Sequence, residues 1–272
     1  MKHINSIILV IIIALFTSCS KDGDVNFFTV KDDVAFGAQL DSTILADPNE
    51  YPILNEAQNQ EVYKYVRDIM NRVLQSNEIL YKEEFKWQVR VIDKNVLNAF
   101  AAPGGYLYFY TGFLKYCRSE AEFAGVMAHE IAHADRRHST ETLTKVYGIQ
   151  ILLSILMGQN PSQLEQIVAV LATNGAALSF SRKHEYQADE YSLRYLNSIK
   201  QIRNYHPTAI IDFFDHMKED SLTTPNGSFE FLRTHPYDDN RKANIDKIWK
   251  SLGSPTGNRF EAEHAAIVAK LN

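Results

Sequence analysis

Apolar residues fall into helical spacing over most of this chain, with one short region of strict alternation. Phe36, Leu40 and Ile44 recur every four residues and predict a helix from about Asp32 to Ala46, stopped by Asp47-Pro48. Val62, Tyr65, Val66, Ile69, Met70 and Val73 predict another between Glu56 and Gln75. Phe85, Trp87, Val89 and Val91 alternate with Lys86, Gln88 and Arg90, the period of a half-buried strand. The segment Asn98 to Thr111, NAFAAPGGYLYFYT, reads as a hairpin turning at Pro103-Gly104-Gly105. Its Tyr106 to Tyr110 arm is expected to be an edge strand over a cleft, where an extended peptide can add as a further strand. Asn98, Ala99, Tyr106, Leu107 and Tyr108 are then the candidate substrate-binding residues.

Ser119, with Glu122 three residues on, is a helix N-cap signal. The helix it opens carries Phe123, Val126 and Met127 inward and runs through His133. Two apolar stretches follow, Val146 to Met157 and Leu164 to Leu178. The first is too short to span a bilayer, and the second contains Glu165, Gln166 and Asn174, so both are expected to be core helices around the capped one. Helical character resumes over Ser179 to Asn197 and Pro207 to Lys218. A polar loop, Thr223 to Ser228, leads to Arg233-Thr234-His235-Pro236 and to helices near Asp239 to Leu252 and Phe260 to Leu271. The pattern is α+β, mostly helical, with a small sheet.

Chemistry concentrates on the capped helix, in His129-Glu130-Ile131-Ala132-His133. Histidines four apart project from one helix face and can share a metal ion, and the adjacent glutamate is placed to take a proton from water. The longer pattern H-E-x-x-H-x-x-G-x-x-H fails, because Arg136 and Ser139 stand at its last two fixed positions. His138, beyond two arginines, reads as a surface residue. A glutamate on a later helix is the alternative third ligand, and Glu185 is the candidate. Asp189 lies one turn on, able to accept from the outer nitrogen of a ligand histidine, while His184 and Glu190 point elsewhere and read as surface.

Composition adds little: of 272 residues, 45% are hydrophobic and 22% charged, enough for one domain with a sizeable core. A formal net charge of −5 gives no reason to expect nucleic acid as a partner. The N-terminus changes the picture more. Lys2 and His3 precede an apolar run from Ile7 to Phe16, then Thr17-Ser18-Cys19. This is the layout of a secretory signal, and the cysteine placement resembles a bacterial lipobox, with Phe16 where that motif has leucine. The expected organisation is a lipoprotein signal peptide over 1–18, a lipidated Cys19 and tether over 19–30, and one domain over 31–272. Membrane attachment would run through the lipid on Cys19, in a bacterial cell envelope. Cys117 would then be the one remaining cysteine, read as a buried small hydrophobe.

NAFAAPGG followed by a strand and Thr-Gly, the HEIAH helix, SRKHEYQAD and THP together resemble the HtpX-like and CAAX-prenyl-protease-like zinc metallopeptidases, which are gluzincins. The resemblance covers about Asp33 to the C-terminal helices. It implies a zincin-like fold and one Zn²⁺ per chain, held by His129, His133 and Glu185, with Glu130 catalytic and Asp189 supporting the ligands. It also puts a role on His235, either stabilising an oxyanion or binding the metal in a closed resting state. Integral-membrane members of that family carry transmembrane helices around the motif, and this chain is similar to the exported branch without them. The implied activity is cleavage of unfolded or misassembled envelope proteins, and the competing reading is a lipid-anchored holdase with a latent site.

Overall fold

The computed structural model describes residues 18–19, 25–26, 28–174, 179–223 and 230–271. The apolar run from Ile7 to Phe16 and most of the tether therefore lie outside the described residues, as does most of the loop before Glu230. A two-residue ladder pairs β1 (Ser18–Cys19) with β2 (Val25–Asn26). From there the chain is mostly helical around one three-stranded sheet. Among the described residues no helix is long and apolar enough to cross a membrane.

Helix α1 (Val30–Ala46) opens on a Thr29 capping box with Asp32 and buries Phe36, Leu40 and Ile44, the predicted stripe. Helix α2 (Gln60–Val73) buries Val62, Val66, Ile69, Met70 and Val73. The sheet holds β3 (Gln88–Ile92), β4 (Ala99–Ala102) and β5 (Tyr106–Tyr110) in the order β3-β5-β4. β5 runs parallel to β3 and antiparallel to β4. The hairpin forms as expected, turning through Pro103–Gly105 with Gly104 at φ 75°, where a side chain would be strained. Gly37 lets α1 touch that turn, since a Cβ there would sit 2.0 Å from the Pro103 carbonyl oxygen.

The strand order corrects one expectation. Tyr106 to Tyr110 is the central strand, hydrogen-bonded on both sides and buried throughout, so it is not an edge. Tyr106, Leu107 and Tyr108 belong to the core, and the Tyr108 hydroxyl donates to Asp41 at 2.8 Å. Five consecutive apolar or aromatic residues with no polar alternation suit a strand covered on both faces. The edge beside the cleft is β4.

Short helix α3 (Thr111–Tyr116) leads to α4 (Glu120–Asp135), which carries HEIAH and is buried along all sixteen residues. The Ser119 hydroxyl accepts from the Glu122 amide, a cap worth about 1 kcal/mol. Buried carboxylates pin both ends of α4. Glu120 accepts from Arg72, Arg203 and the Tyr205 hydroxyl. Asp135 accepts from the Leu80 and Tyr81 amides and the Tyr195 hydroxyl, at 2.8–2.9 Å.

After α5 (His138–Tyr147), the two apolar stretches become α6 (Ile149–Leu156) and α7 (Pro161–Ala169), followed by a π turn at Val170–Asn174. They pack on α1 rather than around α4, with Gln39 donating to the Leu156 carbonyl. Six of the eight residues of α6 are apolar, more than one face can bury, and Ile151, Leu153 and neighbouring Val146 and Met157 stay exposed. Five helices complete the described chain: α8 (Arg182–Ser198), α9 (Ala209–Thr223), α10 (Glu230–Thr234), α11 (Asp239–Ser251) and α12 (Glu261–Val268). The α8 and α9 helices flank α4, and α11 backs α8. Cys117 is buried, and burial pushes its thiol pKa well up, as befits a packing residue.

Candidate metal centre

Helix α4 presents His129 and His133 one turn apart toward α8. Glu185 stands in the first turn of α8, which Ser181 caps. His235 follows α10, its amide donating to the Phe231 carbonyl. One ligand atom from each of these four buried residues lies within 4.8 Å of the others. His133 Nε2 is 3.0 Å from His129 Nε2 and 3.4 Å from Glu185 Oε1. His235 Nδ1 is 3.2 Å from Glu185 Oε1 and 3.3 Å from His129 Nε2. Three imidazoles and one carboxylate converging out of water form a donor set that fits a borderline-soft divalent cation.

The outer face of the cluster is built to hold it. His129 Nδ1 meets Asp189 Oδ1 at 3.1 Å, so its Nε2 is directed inward. Arg241, from α11, grips Asp189 with two nitrogens at 2.6 and 2.8 Å and reaches Glu185 Oε2 at 2.5 Å. Burial alone would lower the His129 pKa, but its hydrogen bonds to Asp189 and Glu185 outweigh it and raise it to about 9. Burial wins at His133, which is pushed well below its ordinary value. At Glu185 burial is overcome by Arg241 and His235, holding the carboxyl well below the usual range. Phe180 stacks on His133 and Phe231 on His235, fixing the ring planes.

Glu130 lies outside the four-atom set. Its carboxylate faces His235 Nε2 at 3.4 Å, and both of its buried oxygens lack a hydrogen-bond partner among the described residues. Burial raises its pKa, against the pull of His235 and His129. A narrow apolar hollow of about 20 Å³ lies beside His235; Phe100, Ala101, Thr142, Leu143 and Phe180 line it.

A profile of the family described as peptidase family M48 matches residues 59–249 of this chain. The chain belongs to that family. The plant mitochondrial metalloendopeptidase OMA1 of Arabidopsis thaliana is 32% identical over 154 residues, covering 57% of this chain and 30% of that protein. Human mitochondrial metalloendopeptidase OMA1 is 26% identical over 204 residues, 68% of this chain and 37% of its own. The beta-barrel assembly-enhancing protease of Escherichia coli (strain K12) is 27% identical over 162 residues, 56% of this chain and 32% of its own. This chain thus spans about a third of the length of these relatives.

Within this family member, His129, Glu130, His133, Glu185, Asp189 and His235 lie together in one buried cluster. Asn98 does not face the cluster; its amide donates to the Ala172 carbonyl. Ala99 begins the edge strand, but Phe100 and Ala101 are its residues at the cleft. His138 and His184 are buried rather than on the surface, stacked at 4.4 Å, with His184 against Glu141. Glu190 is half-buried and pairs with Arg194. Arg241 was not singled out: it sits among Asp, Asn and Lys in a polar helix, where it looks like any solvated charge.

Proposed function

We propose that this chain is a zinc-dependent endopeptidase acting on unfolded or misassembled proteins of a bacterial cell envelope, attached to the membrane through a lipid on Cys19. The observation that carries the reading is the buried His129, His133, Glu185, His235 cluster with Glu130 beside it. His129, His133 and Glu185 would hold the zinc. A bound zinc ion supplies Lewis acidity and lowers the pKa of water to about 7. Glu130 takes the proton of the attacking water and passes it to the leaving amine, which its burial-raised pKa suits. β4 pairs with the substrate backbone, so recognition demands an extended chain rather than a given sequence. The hollow beside His235 is lined mostly by apolar side chains, a character that suits the residues folded proteins bury and unfolded ones expose.

The purified chain is expected to cleave casein, to lose that activity to a chelator, and to regain it when one equivalent of zinc is restored. Turnover that a chelator leaves intact would sink the zinc assignment.

One observation favours a latent form of the same site. His235 aims Nδ1 at the ligand cluster rather than away from it, which suits a fourth ligand that closes the site. On that reading His235→Ala raises casein turnover at unchanged zinc content. A fall in turnover instead assigns His235 to the reaction.

A further inference from the structure

The two ligand histidines have different outer partners. His129 Nδ1 meets the charged Asp189, whereas His133 Nδ1 meets another imidazole, His138 Nδ1, at 3.0 Å. His138 Nε2 in turn lies 2.7 Å from the side-chain oxygen of Gln187. We infer that Gln187, acting through His138, fixes which nitrogen of His133 carries the proton and so which one is free to bind the metal.

The chain of hydrogen bonds has one consistent assignment. An amide oxygen only accepts, so His138 Nε2 carries a proton and donates it to Gln187. His138 is buried between neutral groups along this chain, and a neutral imidazole has a single N–H, so its Nδ1 is bare. The contact between the two Nδ1 atoms then needs its proton on His133. His133 Nδ1 donates, and His133 Nε2 keeps its lone pair toward His129 and Glu185. Turning the Gln187 amide over would put its NH₂ against His138 and reverse every donor, leaving a proton on His133 Nε2. Helix α8 thereby orients both ligand histidines while supplying a ligand itself: Glu185 binds, Gln187 sets His133 through His138, and Asp189 sets His129. His138 and Gln187 are positioning residues, and the inference rests on the metal-site reading above.

Zinc affinity, measured by competition with a chromophoric chelator, is expected to fall about 10- to 100-fold in His138→Leu, which leaves the His133 donor without an acceptor. His138→Asn places an amide oxygen near the lost Nδ1 and is expected to recover most of that loss. Gln187→Leu changes a half-buried side chain and is expected to weaken binding even where the His138 variants do not fold. Long-range ¹H–¹⁵N correlation spectra of the metal-free wild type are expected to show the His133 proton on Nδ1. A proton on Nε2, or folded Leu variants that bind zinc as tightly as the wild type, would overturn the assignment. If the wild type bound no zinc, the metal reading would fail, and the spectra would still decide the tautomer.

Discussion

Replacing Glu130 by glutamine is expected to abolish cleavage of unfolded casein, a loss of at least about 10²- to 10⁴-fold, while zinc content stays at the wild-type level. The two outcomes separate because Glu130 is not among the four converging ligand atoms, yet lies directly beside them. Glutamine keeps the size and shape of this fully buried side chain, so the packing of α4 survives. It cannot take a proton from water. A Glu130→Gln protein that cleaves at the wild-type rate would remove this residue from the mechanism. Loss of zinc together with activity would instead make Glu130 part of the metal-holding structure.

The second large effect belongs to Arg241. It is almost fully buried and faces two buried carboxylates, Glu185 and Asp189. Removing one partner of a buried ionic network strands the others, at a cost of about 3–5 kcal/mol. For a domain of this size Arg241→Leu should lower the metal-free melting temperature by roughly 6–20 °C. Zinc should recover part of that fall, because a cation beside Glu185 replaces some of the missing charge. Arg241→Lys is expected to fall between, since one ammonium cannot copy the forked contact with Asp189 while also reaching Glu185 and the Pro236 carbonyl. A metal-free Arg241→Leu protein melting with the wild type would show that the two carboxylates need no counter-charge.

What could be read before any coordinates follows from range. His129 and His133 are related by one helical turn, and so are Glu185 and Asp189; helical spacing alone brings each pair to one face. Bringing the pairs together is a tertiary event: the failed longer histidine pattern pointed to a later glutamate, and the family resemblance pointed to His235. Arg241 had no such help, because its partners lie 52 and 56 positions earlier and its own neighbours are polar. His138 misled for a related reason: Arg136 and Arg137 before it imply water, but the Arg136 guanidinium lies over Tyr191 and Arg137 is buried against Asp33. The sheet order was hidden because hairpin spacing reveals only the β4–β5 pairing. The parallel partner β3 arrives from outside the hairpin and turns the presumed edge into the centre. An unbroken YLYFY run was the available sign.

The pinned helix α4 bears on how the site matures during synthesis. A chain made from its N-terminus carries both ligand histidines early, on a rod whose Asp135 end can be tied to Leu80 and Tyr81 as soon as α4 forms. The Glu120 end waits for Arg203 and Tyr205. Glu185 is made before those two, but its counter-charge, Arg241, and the last imidazole, His235, follow only after them. An unfinished chain therefore has the two histidines without the carboxylate held in place against them. The four-residue cluster and its counter-charge thus come together only after His235 and Arg241 have both been made.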